Sequence, residues 1–348
     1  MTLKEYIRPI RDFIFEKVEK ILIHLMGACQ FRLSQTSTTF ILIERKGRHG
    51  KESMAEINFV RSLRNYHQKF HAKNNLRVFY YNNAFWLKDS IIFIFMVIFG
   101  NIDRVIYTQR MSHHKFPSQN ISRLMKNKKI NQIYFWMDSN HSTLWDKMII
   151  PNSNYCDYAI LFDNPNKRFI PDNFKSKTFF AFTPYEIDNS IIDLNEKQGV
   201  FFSGMVNLES VYGKRRFEYL TFLIANNLKI IGWPKIDEQD YNSYIKKLST
   251  SLISINFSWY HCDDTLNGRS SETLLCKTLL LQSKNRSLKK FLKDGKHYVS
   301  FQTKKDLLDK INYFLNNRDE AIEIAQNGFN RYSDIVNNTN FWNFVYSL

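Results

Sequence analysis

A glycine, an arginine and a glutamate stand where a buried strand gives way to a helix. The strand covers residues 253–257, and Gly268, Arg269 and Glu272 open the helix, with Gly268 expected to permit a tight turn. In open α/β sheets, ligands bind beyond the carboxyl ends of strands. A carboxylate there can accept two hydrogen bonds from a ribose diol, while Arg269 and the helix N-terminus attract phosphate oxygens. Alternatively, Glu272 only stabilises the positive end of its helix.

Strands and helices alternate along the chain, and this order predicts an α/β fold. In the first half, β-branched and aromatic runs stand at residues 39–43, 76–81, 104–107, 132–137, 158–162 and 178–182. In the second half, strands are predicted at 199–204, 229–232, 252–257, 278–282 and 297–301. Helical patterns cover 214–226, 240–248, 270–276, 286–292, 304–316 and 318–331. Parallel sheets with helices on both faces fit this alternation.

The length of the chain, 348 residues, is sufficient for two domains. A polar and acidic stretch at residues 186–198 marks the boundary between them. We therefore expect a first domain at residues 1–190, with an amphipathic helix within residues 1–30, and a second domain at residues 196–335. Residues 336–348 are expected to pack back on the first domain.

The N-terminal segment has the pattern of an amphipathic helix over residues 3–26. Apolar residues recur at helical spacing from Ile7 to Leu25. The basic residues beside this stripe are Lys4, Arg8, Arg11, Lys17 and Lys20. Such a helix either packs on the first domain or lies on an anionic membrane surface. The formal net charge of +16 calls for a polyanionic partner, and nucleic acid, anionic lipid and phosphorylated small molecules all qualify.

Three features of the sequence indicate a cytoplasmic protein. Its four cysteines are widely spaced, form no CxxC pair and are interpreted as reduced thiols. The N-terminus lacks the clean apolar segment of a signal peptide. The longest apolar run, residues 91–99, is about half of the roughly 20 residues that a membrane span needs. The inner face of the plasma membrane stays open as a peripheral location.

The second half of the chain resembles the C-terminal domain of the group 1 glycosyltransferases, particularly the branch that includes spore-maturation-type proteins. The resemblance begins at Asn256, continues through the Gly268-Arg269-x-x-Glu272 turn and includes the short strand at 278–281. Segments at 288–299, 306–311, 315–318 and 324–328 follow in the family's order. It covers roughly residues 199–335. This resemblance implies the GT-B fold, in which two Rossmann-like domains face a central cleft and the second holds most of a nucleotide-sugar donor.

The resemblance also implies a donor site. Glu272 would bind the donor ribose, and Asp264, eight positions earlier, would contact the transferred sugar. Gly204 would let the backbone approach the diphosphate, and Trp233 would border the nucleobase. The basic residues expected to bind the diphosphate open the next helix: Lys214, Arg215 and Arg216. Fixed cations there would stabilise the leaving diphosphate in the transition state, whereas the alternative is a solvated helix face.

Polar residues in the first domain are candidates for the acceptor side of the same reaction. Asp138 and His141 directly follow the strand at 132–137. If the enzyme inverts the anomeric configuration, either residue could be the general base for the acceptor hydroxyl. If it retains the configuration, as the resembled group generally does, they would orient the sugars; a capped turn is the alternative. Arg48, His49 and Lys51 lie in the loop after the first strand and would meet the acceptor or the donor phosphate.

The implied function is transfer of a sugar from a UDP- or GDP-linked donor to a saccharide or lipid-linked acceptor, in bacterial surface polysaccharide or lipopolysaccharide assembly. No metal and no cofactor are expected, because the sequence has no DxD motif and its histidines lack metal-ligand spacing. Lys277 stands where the family commonly has glycine, which supports the alternative of a non-catalytic GT-B relative with an interaction role. A nucleic-acid-binding protein is less favoured, because no helix-turn-helix, RNP or zinc-module pattern occurs.

Overall fold

The computed structural model describes residues 3–26, 36–44, 54–81, 86–109, 117–136, 156–162, 175–188, 190, 192, 197–204, 206–232, 241–258 and 268–348. The chain divides into two compact units. The first consists of Met1–Glu56, Arg64–Leu161 and Pro165–Ala181, and the second of Ile57–Leu63, Phe162–Asn164 and Phe182–Leu348. The domain limits expected from the sequence stay predictions.

A parallel six-stranded sheet in the order β2-β1-β3-β4-β5-β6 forms the centre of the first unit. Its strands are β1 Thr38–Glu44, β2 Asn75–Tyr81, β3 Ile102–Gln109, β4 Asn131–Trp136, β5 Tyr158–Leu161 and β6 Thr178–Phe180. The helices of this part of the chain are α1 Leu3–Met26, α2 Met54–Phe70, α3 Trp86–Phe99 and α4 Gln119–Asn127. Parallel strands need crossover connections, and the helices of those connections cover the apolar faces of the sheet.

The second unit contains a parallel five-stranded sheet in the order β11-β10-β9-β7-β8. Its strands are β7 Val200–Phe202, β8 Ile230–Ile231, β9 Ile253–Asn256, β10 Leu279–Ser283 and β11 Val299–Phe301. Its helices are α5 Val211–Ala225, α6 Tyr241–Thr250, α7 Gly268–Leu275, α8 Lys304–Asn316, α9 Arg318–Ile335 and α10 Asn338–Ser347. Every residue of β7, β9 and β10 is buried. The carboxyl ends of β7 and β9 therefore lie at one edge, where α5 and α7 begin.

The predicted strands and most predicted helices are confirmed, with ends that shift by a few residues. Short polar side chains explain where helices begin. Ser210 accepts a hydrogen bond from the Gly213 N–H at 2.9 Å, so α5 begins before the predicted residue 214. The helix predicted at 286–292 is wrong, because only the 3₁₀ turn Leu288–Lys290 forms there. The Asn285 side chain accepts from the Leu288 N–H at 2.8 Å, and the single turn already buries Leu288.

Lys277 has a left-handed backbone, with φ +51°, between α7 and β10. A residue with a Cβ loses about 1 kcal/mol in this conformation, whereas glycine does not. This strain explains physically why the resembled family has glycine here. The Lys277 ammonium lies 4.7 Å from the centroid of the Phe329 ring, and this cation–π contact offsets part of the strain.

We expect Lys277→Gly to be more stable than Lys277→Ala by about 1 kcal/mol. Both variants lose the cation–π contact, so the comparison isolates the backbone. At an ordinary helical position the order reverses, and alanine is favoured by roughly 0.5–1 kcal/mol. Urea denaturation of the two variants measures the difference. An alanine variant as stable as the glycine variant would show that the left-handed backbone costs nothing at this position.

Candidate functional site

Two arginine side chains converge on Gly204, immediately after β7. A Cβ built on Gly204, whose φ is +156°, would lie 3.0 Å from Arg216 Nη1 and 3.2 Å from Arg269 Nη1. Arg216 comes from the second turn of α5, and Arg269 from the start of α7. The missing side chain therefore leaves room at a point that two guanidinium groups reach from different helices. Two adjacent forks of N–H donors suit an anion with several oxygens, such as a diphosphate.

The guanidinium of Arg216 is withdrawn from water. Its side chain is 2% exposed, and burial and the positive charge of Arg269 both lower its pKa. The Tyr212 ring, whose centroid lies 3.7 Å from the guanidinium carbon, stabilises the cation. Because guanidinium groups stay protonated in proteins, an anion bound between Arg216 and Arg269 would interact favourably with both.

Of the three basic residues predicted to bind the diphosphate, Arg216 is the one near Gly204. Lys214 is exposed, and the Arg215 guanidinium lies 5.7 Å from the centroid of the Tyr219 ring. Successive helical residues point about 100° apart, so one member of such a triplet faces inward when its neighbours face solvent. The alternative of a solvated helix face therefore describes Lys214, and the inward position belongs to Arg216.

Asn256, the last residue of β9, makes its hydrogen bonds within the protein. Its Nδ2 donates to Ser270 Oγ and to Gln282 Oε1, each at 2.8 Å. Its Oδ1 accepts from Arg269 Nε at 3.4 Å. Asn256 is 2% exposed, so its amide is fixed by these partners. Asn256 therefore helps to orient the guanidinium group of Arg269. The sequence also places Asn256 in the predicted donor site, and a direct contact between its side chain and a donor stays a prediction.

A tyrosine ring packs directly against Gly268, the first residue of α7. The loop before Gly268 lies outside the described residues, so the tight turn expected there stays a prediction. A Cβ on Gly268 would lie 2.5 Å from Tyr185 Oη and 2.7 Å from Tyr185 Cε2. Close packing of the Tyr185 ring on the first residue of α7 therefore excludes a side chain at this position.

Glu272 is buried in the second turn of α7, with 4% of its surface exposed. Tyr244 Oη donates to Glu272 Oε2 at 2.8 Å, and Asn58 Nδ2 donates to Glu272 Oε1 at 3.2 Å. Tyr241 Oη donates in turn to Asn58 Oδ1. Burial raises the pKa of Glu272 to about 7, against the opposite effects of Tyr244, Arg269 and Asn58. The carboxyl group is therefore more than a helix-end charge: it is the centre of a buried polar network.

Three residues of this network were not found from the sequence. The sequence predicts a helix over residues 240–248, and a spacing of three places Tyr241 and Tyr244 on one face of it. Asn58 is 214 positions from Glu272, and no local pattern indicates that pairing. A buried asparagine must find hydrogen-bond partners, so an asparagine on the apolar face of α2 was the available signal.

The remaining candidates lie outside the described residues. They are Asp138, His141 and Asp264 from the proposed catalytic set, Trp233 from the donor set, and Arg48, His49 and Lys51 from the acceptor side. Their roles stay predictions. Within the described ranges, no cluster of three or more His, Cys, Asp or Glu side chains could hold a metal ion.

A family model supports the resemblance seen in the sequence. Residues 208–339 match the family described as glycosyl transferase-like. This span is less than half of the chain, belongs to the second unit and includes Arg216, Asn256, Arg269 and Glu272. The resemblance to glycosyltransferases is thereby confirmed. No curated protein matches the chain in sequence.

Solved structures of similar fold cover most of the chain. HepE from Anabaena, solved in complex with UDP and glucose, has a TM-score of 0.58 and 11% identity, over 90% of this chain and 100% of its own. Sucrose-phosphate synthase from Thermosynechococcus elongatus has a TM-score of 0.56 and 8% identity, over 90% and 98%. A glycosyltransferase from Rickettsia africae has a TM-score of 0.51 and 11% identity, over 89% and 97%. At such identities the likeness establishes the fold.

The chain therefore has the GT-B fold, with two Rossmann-like parallel sheets. The predicted fold class is confirmed. Its second unit carries both the glycosyl transferase-like segment and the converging guanidinium groups.

Proposed function

We propose that this protein is a glycosyltransferase that transfers a sugar from a UDP- or GDP-linked donor to a saccharide or lipid-linked acceptor. The observation that carries the proposal is the convergence of Arg216 and Arg269 at Gly204, inside or beside the glycosyl transferase-like segment. HepE, which has a similar fold, was solved with UDP and glucose. The donor diphosphate would lie against the two guanidinium groups, and its ribose would lie at Glu272.

The chemistry follows from this placement. An acceptor hydroxyl attacks the anomeric carbon on the face from which the diphosphate departs, and the bond from that carbon to the diphosphate oxygen breaks. The hydroxyl proton passes to the leaving diphosphate or to solvent, while negative charge develops on the diphosphate. Arg216 and Arg269 would stabilise this charge as it develops. Electrostatic stabilisation of developing charge by fixed groups is usually the largest single contribution to enzymatic catalysis. We assign a retaining, metal-independent reaction to the enzyme, with Asp264, Asp138 and His141 in contact with the sugars. The pathway we propose is assembly of a bacterial surface polysaccharide or lipopolysaccharide.

Donor binding and transfer are tested separately. At a hundred times the Kd, a nucleotide sugar should stabilise the protein by about 2.7 kcal/mol. Calorimetric titration with UDP-glucose and GDP-mannose, followed by NMR of the products formed with candidate acceptors, identifies the donor and the stereochemistry. Failure of every UDP- and GDP-sugar to bind would reject the proposal. Binding without hydrolysis or transfer would indicate the non-catalytic GT-B relative instead.

A membrane location is the second part of the proposal, and it rests on the two faces of α1. The ring of Phe15 packs against Trp86 with centroids 5.6 Å apart, and Glu19 on the same face is fully buried. The opposite face exposes a stripe of apolar side chains that are 36–62% accessible: Phe13, Ile14, Val18 and Ile21. Lys17 and Lys20 stand beside the stripe and are exposed. Such a face suits the headgroup region of an anionic bilayer. Among the described residues, no helix is long and apolar enough to cross a membrane.

Anionic vesicles test this location. Burying two apolar side chains in the bilayer interface stabilises binding by about 3 kcal/mol. We therefore expect the double variant Phe13→Asp, Ile21→Asp to bind phosphatidylglycerol vesicles at least about ten-fold more weakly than the wild type in a sedimentation assay. Ile322→Asp is the matched control, because Ile322 is an exposed apolar residue on α9. Equal binding by the double variant and the control would contradict the assignment of α1.

A further inference from the structure

The Glu272 carboxylate has enough hydrogen-bond acceptor sites for both hydroxyl groups of a ribose. An ionised carboxylate offers about four lone-pair sites to hydrogen-bond donors. Tyr244 and Asn58 occupy two of them, one on each oxygen. Among the described residues, no other donor occupies the two remaining sites, and a vicinal diol brings two hydroxyl donors. The ionised carboxylate can accept from both hydroxyl groups, whereas a protonated carboxyl group would accept from one hydroxyl and donate to the other. Acceptance from both hydroxyl groups therefore requires the ionised form.

Burial raises the pKa of Glu272, and neighbouring charges and hydrogen bonds lower it. The helix α7 itself contributes Arg269, whose charge lowers the pKa of Glu272. The other titratable groups that interact with this carboxylate are Tyr241 and Tyr244 on α6, Cys276 after α7 and Tyr332 on α9. All four are neutral when protonated. Besides Arg269, the hydrogen bonds from Tyr244 and Asn58 are therefore what favours the charged form.

A hydrogen bond from Tyr241 fixes the orientation of the Asn58 amide. Tyr241 Oη donates to Asn58 Oδ1, so the amide presents its Nδ2 group to Glu272 and not its oxygen. The Asn58 side chain is fully buried, and residues 57–63 belong to the second unit. On the other side, Ser203 Oγ lies 3.5 Å from Tyr244 Oη, and Ser203 directly precedes Gly204. The network thus joins the carboxylate to the loop that carries the anion site.

We infer that Asn58 and Tyr244 are positioning residues that hold the Glu272 carboxylate ionised and oriented to accept both hydroxyl groups of the donor ribose, with Tyr241 fixing the amide of Asn58. The inference rests on the proposed function and adds residues from α2 and α6 to the donor site. It requires donor affinity to depend on the ionisation of a single carboxyl group. Because the pKa of Glu272 is raised to about 7, affinity should fall as the pH falls below that value, by up to about ten-fold for each pH unit.

The test is the pH dependence of UDP-glucose binding between pH 5.5 and 9 in the full chain. The diphosphate diester of this probe does not titrate in that range. Asn58→Leu and Tyr244→Phe each remove one hydrogen bond to the carboxylate, so each should move the midpoint of the affinity loss upward by about one pH unit. In both variants the affinity should recover toward the wild-type value at pH 9. Asn330→Leu, an exposed asparagine on α9, is the matched control and should leave the midpoint in place.

A merely structural role predicts a different result. A distorted site would bind UDP-glucose more weakly by the same factor at every pH, with an unmoved midpoint, and that result overturns the inference. The 2′-deoxy analogue of UDP-glucose lacks one of the two hydroxyl groups, so its binding should be weaker and less dependent on pH. Circular dichroism melts show whether each variant is folded. If Asn58→Leu does not fold, Tyr244→Phe alone provides the test. Wild-type protein that binds no UDP- or GDP-sugar would instead reject the proposed function.

Discussion

Arg216→Ala is expected to lower the rate of sugar transfer at saturating donor by about 100- to 1000-fold, the effect of removing one fixed donor from a developing anion. Arg216 is buried and reaches Gly204 together with Arg269, so a diphosphate bound between them would interact favourably with both. The substitution should weaken binding of the nucleoside diphosphate as well. Steady-state assays with the donor identified by titration measure both effects.

Lys214→Ala is the matched control, since Lys214 lies two residues earlier on the same helix and is exposed. A solvent-exposed charge contributes little, so we expect less than about 1 kcal/mol from its removal. If Lys214→Ala lowers the rate as much as Arg216→Ala, the diphosphate lies on the outer face of α5 and not at Gly204. Arg216→Ala also removes packing against the Tyr212 ring, so circular dichroism melts establish that the variant is folded before its rate is compared.

Trp342→Ala is expected to destabilise the second unit by about 3–5 kcal/mol, as large-to-small substitutions in a core do. Trp342 on α10 is fully buried, its ring lies 5.2 Å from that of Phe59, and its Nε1 donates to Ser62 Oγ at 2.8 Å. The variant leaves both a cavity and an unpaired hydroxyl group. Urea unfolding followed by circular dichroism measures the loss without relying on the fluorescence of the missing tryptophan.

Phe344 provides the comparison for this prediction. It lies on the same helix and is 36% exposed, so Phe344→Ala should cost less than Trp342→Ala by more than about 2 kcal/mol. Trp342→Phe keeps most of the packing and loses the hydrogen bond, and we expect about 1–2 kcal/mol from that change. Similar losses in Trp342→Ala and Phe344→Ala would mean that α10 contributes through its helical backbone and not through this side chain.

Much of the fold could be predicted because parallel strands are buried on both faces. β1 and β10 contain continuous apolar runs, and such runs are hard to mistake once helical segments separate them. The helix predicted at 286–292 is wrong because Leu288 and Leu292 are buried with only one turn between them. Two apolar residues four positions apart fit a single turn as well as a longer helix, so their spacing does not show where the helix ends.

The site could be predicted only in part. Gly204, Arg216, Arg269 and Glu272 stand near the carboxyl ends of strands, so their neighbourhood followed from topology. The choice of Arg216 over Lys214 depends on the rotational phase of α5, which the position of the Ser210 cap sets.

Asn58, Tyr241 and Tyr185 could not be assigned from sequence, because each acts through a partner that is distant along the chain. The contact between Asn58 and Glu272 spans 214 positions, and that between Gly268 and Tyr185 depends on the packing of one ring. Pairings of this kind follow from tertiary structure, and a single sequence carries no pattern that specifies them.

The contact of Phe59 and Ser62 with Trp342 also has a consequence for the order in which the chain can fold. These residues are separated by 280 positions or more. During synthesis, the strands of the first sheet are complete by residue 180, whereas the partner of Phe59 and Ser62 is made only at residue 342. Until α10 is made, Phe59 and Ser62 therefore lack the side chain that covers them. Late closure of this kind favours slow folding and exposes the nascent chain to association with others.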